Sequence, residues 1–145
     1  MSTLTNLLRE TLANELSFSI QVQSFHWNVR GMLFSQLHEF FGEIYEGAYG
    51  TIDALAEYIR IEGEMAPASL PAIYQHKTLN EINVVPGTAQ EMLQNLKAMN
   101  LQVKATLEAL MEESDAQKRY GLSDWVSAQI DMHAKWDWMI SAHLE

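Results

Sequence analysis

Apolar residues recur at every third or fourth position along nearly the whole chain, and no stretch of any length alternates with the period of two that a strand needs. That pattern restricts the fold to packed helices. Leu4, Leu8, Leu12, Leu16 and Ile20 predict a first helix over about residues 3–29, with Ser2, Thr3 or Thr5 as its cap and Arg30-Gly31 as its break. Phe41, Ile44, Ala48, Ile52, Leu55 and Ile59 predict a second over about 35–62, ended by Gly63. Thr88-Ala89-Gln90-Glu91 has the form of a capping box opening a third helix, which continues through Met92, Leu96, Met99, Val103, Leu107 and Leu110 to a limit at Gly121. Trp125, Ala128, Met132, Trp136 and Met139 carry a fourth from near Ser123 onward, as a core or subunit-contact stripe. The connection over 64–87 holds Pro67, Pro71 and Pro86 and is long enough to contain a short helix near 70–76. Two short connections and one long one predict an all-α four-helix bundle with a single crossover, forming one domain over 1–145.

Composition narrows the function. The chain of 145 residues is 48% hydrophobic and contains no cysteine, so disulfides, thiol catalysis and thiolate metal sites are excluded. A formal net charge of −10 repels nucleic acid and attracts cations. No signal-peptide n-region precedes the first helix and no window approaches a membrane span, so a soluble cytoplasmic protein is expected.

The second helical stretch carries His38, Asp53 and Glu57 on one side. Asp53 lies about 60° and Glu57 about 100° round from His38 at 100° per residue. At the usual rise, His38 and Asp53 are roughly 22 Å apart, too far to share one metal ion. A metal site using both needs a second chain crossing antiparallel about a two-fold axis. Asp53 and Glu57, four residues apart, repel each other unless a cation sits between them.

Three groups of residues together form a longer pattern: Phe25-His26-Trp27-Asn28-Val29-Arg30-Gly31 with Phe34, then Leu37-His38-Glu39-Phe40-Phe41, then Asp53-Ala54-Leu55-Ala56-Glu57. This pattern resembles the Dps family, the miniferritins, and the run 132–139 is similar to that family's last helix. The resemblance covers most of the chain. It implies a ferritin-like bundle assembled as a dodecameric shell, with iron as the metal. It implies a ferroxidase that oxidises Fe(II) with hydrogen peroxide or oxygen at a subunit interface and stores ferric mineral inside, giving oxidative-stress protection. His26 and His38 match ligands from one subunit, Asp53 and Glu57 match ligands from the other, and Trp27 matches a tryptophan beside the site. Imidazole and carboxylate ligands suit Fe(II), although zinc or manganese would accept the same set.

One position departs from the pattern. Gly42 stands where the family has a ligand aspartate, so one carboxylate is missing. Glu46, about 80° round from His38, is a candidate substitute. The alternative function is therefore a shell with impaired ferroxidase activity that acts as a structural or metal-buffering assembly; a weaker third reading is a helical interaction module without metal. Gly42, Gly47 and Gly50 each cost about 1 kcal/mol in a helix interior, and close helix approach at the two-fold axis is the expected compensation. Asp124 and Asp131 are either acidic pore residues, as the resemblance implies, or, for Asp124, a first-turn residue complementing the helix dipole. His76, His133 and His143 read as structural or surface residues. With no lysine-rich tail and a net charge of −10, direct DNA binding is not expected.

Overall fold

The computed structural model describes residues 2–145. Six helices follow one another: α1 Thr3–Asn28, α2 Phe34–Tyr49, α3 Ile52–Ile61, α4 Leu70–Tyr74, α5 Ala89–Ala116 and α6 Tyr120–Leu144. The four bundle positions are filled by α1, by α2 with α3, by α5 and by α6. The short α4 lies on the crossover. No helix among the described residues is long and apolar enough to cross a membrane.

Local chemistry sets most of the boundaries. The Ser2 hydroxyl accepts from Thr5 N at the start of α1, and Thr88 does the same for Glu91 N at α5. Ser69 caps α4, with Pro71 in its first turn. After α1 the backbone extends at Val29 and turns through Gly31 at φ +111°, a conformation that favours glycine.

The structure corrects three expected boundaries. The helix expected over 35–62 is two helices, interrupted at Gly50-Thr51, where the Thr51 hydroxyl donates to the Ala48 carbonyl at 2.7 Å. The apolar stripe runs through the interruption unbroken, which is why periodicity hides it. The turn between α5 and α6 falls at residues 117–119 and not at Gly121; Lys118 takes the positive φ of 59° there. The short helix stops at Tyr74, leaving His76 beyond it.

The core runs the length of the bundle through Leu4, Leu8, Phe18, Phe25, Phe41, Leu96 and Leu107, all fully buried. Ile20, expected in this row, is 48% exposed. Steps of four residues advance the side chain by about 40° each beyond a full turn, so the row beginning at Leu4 has rotated off the core by Ile20.

The crossover is fixed by α1 side chains. The Asn14 carboxamide oxygen accepts from Thr78 N and Leu79 N, each at 2.9 Å, while its nitrogen donates to Thr78 Oγ1 and Thr106 Oγ1. Gln21 brackets Ile82 by accepting from its N–H and donating to its carbonyl. The buried amide of Asn14 and the half-buried one of Gln21 thereby supply the hydrogen bonds that a segment without regular structure lacks.

At the centre of the bundle His133 is fully buried and bonded on both ring nitrogens. Nδ1 meets Asn100 Oδ1 at 2.7 Å, and Nε2 faces both Glu15 oxygens at 3.0 and 3.1 Å. Asn100 Nδ2 donates to the His133 carbonyl at 2.8 Å, which fixes the amide's orientation. The expected structural role of His133 thus takes a definite form: a link tying α1, α5 and α6.

Gly42, Gly47 and Gly50 each have close neighbours within the chain. A β-carbon at Gly47 would lie 2.7 Å from Trp136 Cζ2 and 2.9 Å from Cη2, so glycine admits the buried indole of α6. This contact within the chain gives Gly47 a reason of its own. Gly50 belongs to the helix interruption, and a β-carbon at Gly42 would meet the His26 ring at 3.3 Å.

Candidate metal centre

His26 lies in the last turn of α1 and His38 in the second turn of α2, on either side of the Gly31 corner. Their rings stack, with centroids 3.8 Å apart and planes inclined by 14°. Each ring bonds the other residue's backbone: His26 Nδ1 meets the His38 carbonyl at 2.5 Å, and His38 Nδ1 meets the His26 carbonyl at 2.7 Å. A carbonyl oxygen only accepts, so both Nδ1 atoms carry the proton. Both Nε2 atoms are left with lone pairs and no protein partner among the described residues. That is the tautomer required of a metal-ligating imidazole, with the second ring nitrogen anchored to oxygen.

Aromatic rings frame the pair. Phe34 stacks on His38 at 5.2 Å, and Tyr45 approaches His26 at 5.3 Å. Trp27, next to His26, is 63% exposed. Gly42 lies beneath His26 and leaves its Cε1–Nδ1 edge without a side chain from that position.

Asp53 is in the first turn of α3 and Glu57 one turn later, and both are exposed. Glu57 lines a shallow hollow with Ala54, Tyr58, Ile61 and Trp125. The structure therefore brings His26 and His38 together, and places Asp53 and Glu57 one turn apart on a separate helix. Among the described residues, no group of three or more His, Asp or Glu side chains within the chain could hold a metal ion. A site with all four donors needs a second copy.

Glu46 is exposed and lines a surface hollow with Ile20, Gln23, Tyr45 and Tyr49. Asp124 and Asp131 are exposed on α6. Because α6 starts at Tyr120, Asp124 falls just beyond the first turn, so the dipole-complementing role expected from a start at Ser123 is weakened. The interlocked His26–His38 geometry and the Tyr45 contact are not readable from spacing, since they depend on how the α1–α2 corner closes.

A ferritin-like family model matches residues 5–145, nearly the entire chain. A DNA protection during starvation protein from Brevibacillus brevis is 30% identical over 142 residues, covering 96% of this chain and 93% of its own. The crystal structure of a Dps protein from Bacillus brevis superposes with a TM-score of 0.91 at 29% identity and covers 100% of both chains. A Dps protein from Vibrio cholerae O1, described as a member of a broad superfamily of ferritin-like diiron-carboxylate proteins, superposes with a TM-score of 0.90 at 27% identity, covering 98% of this chain and 89% of its own. Fold and family model make the chain a ferritin-like protein. Within that class it belongs to the Dps family.

Proposed function

We propose that the protein binds Fe(II) at sites shared between two copies, oxidises it with hydrogen peroxide or oxygen, and stores the ferric product within a closed homo-oligomer, a dodecamer. The observation that carries this reading is the pair of imidazoles anchored through Nδ1 with both Nε2 lone pairs free. Each site takes His26 and His38 from one copy and Asp53 and Glu57 from the other. The carboxylates supply the negative charge that two neutral imidazoles lack, and as hard oxygen donors they favour the ferric product.

The redox step balances without a resident cofactor. Each Fe(II) gives up one electron; hydrogen peroxide takes two, its O–O bond breaks, and with two protons it leaves as water. Consuming Fe(II) and peroxide together removes both precursors of hydroxyl radical, which supports a role in oxidative-stress protection. The net charge of −10 favours cation entry over direct DNA binding. A cytoplasmic location fits this chemistry.

Gly42 supports a second reading, a shell whose oxidation is slow for want of a carboxylate at that position. One experiment separates the two: anaerobic Fe(II) titration of the purified assembly, followed by peroxide, with ferric absorbance recorded. Saturable binding and fast oxidation, both lost in a His38→Ala/Asp53→Ala variant, support the ferroxidase. Saturable binding with oxidation no faster than iron in buffer supports the buffering shell. No binding at all overturns both.

A further inference from the structure

Position 42 supplies no carboxylate beside His26, whose ring packs within 3.3 Å of where a β-carbon there would lie, and Tyr45 on the same helix approaches that ring. Tyr45 is three residues beyond Gly42, so the two share one face of α2. Helical side chains tilt toward the N-terminus, which carries the Tyr45 ring back over the turn that holds Gly42. The ring centroid lies 5.3 Å from that of His26 at an inclination of 50°, and Tyr45 is half-buried. Its hydroxyl bonds no protein group among the described residues. Glu46, the other oxygen donor nearby, sits about 40° round the helix from Gly42 but is exposed, and of the two only Tyr45 has its ring against that of His26.

We propose that Tyr45 takes over the role of the absent aspartate, binding Fe(III) through its phenolate oxygen beside His26. The proposal rests on the reading that His26 holds iron. Phenolate is a hard anionic oxygen donor, suited to Fe(III) and poorly matched to Fe(II). Tyr45 therefore engages after oxidation. The phenol O–H bond breaks, the Fe–O bond forms, and the proton leaves to water; the electron has already gone to peroxide or oxygen. A carboxylate at position 42 would hold both oxidation states. A phenolate holds the product and marks it with colour.

The test uses the assembled protein loaded with Fe(II) below one equivalent per site, too little to form mineral, and then oxidised with peroxide. A phenolate-to-iron charge-transfer band in the visible, with phenolate ring modes in the resonance Raman spectrum, is the expected result. Tyr45→Phe, which removes only the hydroxyl, should abolish the band while anaerobic Fe(II) binding and thermal stability stay as in the parent. His26→Ala should abolish both the band and the binding. Bound Fe(III) without the band, or a band that survives in Tyr45→Phe, overturns the Tyr45 assignment and leaves the shared iron site standing. Absence of Fe(II) binding in the parent overturns both.

Discussion

His133 and the His26–His38 pair show the same side chain used in opposite ways. His133 is fully buried and commits both ring nitrogens, one to Asn100 and the other to Glu15. His26 and His38 are half-buried and commit one nitrogen each, to a backbone carbonyl. The first arrangement leaves nothing for a ligand and leaves an acidic side chain dependent on its partner. The second leaves two lone pairs free and depends on no charged group. What a histidine can do here is decided by how many of its nitrogens the fold has already used.

If that contrast is right, stability and iron binding should separate on substitution. The largest stability loss is expected for His133→Ala, which strands Glu15 in the core. Removing one member of a buried pair costs about 3–5 kcal/mol, readable as a lower midpoint in denaturant, while Fe(II) binding per folded subunit stays unchanged. Binding lost in folded His133→Ala would break the comparison. Gly47→Ala should come next. Its β-carbon collides with Trp136, which is held edge-on by His133 at 4.9 Å and so has little room to yield. Overpacking of this kind costs about 1–3 kcal/mol, and differential scanning calorimetry would show it.

His26→Ala and His38→Ala invert the pattern. Each removes one side-chain hydrogen bond, worth about 1 kcal/mol, yet Fe(II) titration should show the site lost. The smallest stability effect belongs to Glu57→Gln. It relieves repulsion from Asp53 and should gain about 0.2–0.5 kcal/mol in the absence of metal, while weakening binding in the Fe(II) titration. A neutral or stabilising change that damages binding is the signature of a residue kept for its ligand. A loss of stability at Glu57→Gln would assign that residue a structural role instead.

The bundle was readable because three-and-four spacing and side-chain caps are local. Ser2 and Thr88 sit where their hydroxyls are needed, and Gly31 and Gly63 take positive φ at the ends of their segments. The interruption at Gly50-Thr51 was hidden because Ile44, Ala48, Ile52 and Leu55 keep their spacing across it. The start of α6 was misplaced because Lys118, and not a glycine, takes the left-handed turn. The donor residues of the candidate site were legible as a pattern along the chain. Their arrangement was not: the exchange of hydrogen bonds between His26 and His38, and the reach of His133 to Glu15 across 118 positions, arise only when distant helices meet.

If the proposed site draws donors from the α1–α2 corner of one copy and from α3 of another, a consequence follows at the level of inheritance. A dimer with shared sites contains two of them, each drawing on both copies. Pair a subunit carrying His38→Ala with one carrying Asp53→Ala, and both lesions fall on the same site, while the other site is assembled wholly from undamaged halves. Two alleles that are each inactive should therefore restore activity to one another when expressed together. Two lesions in the same half, His26→Ala with His38→Ala, should not.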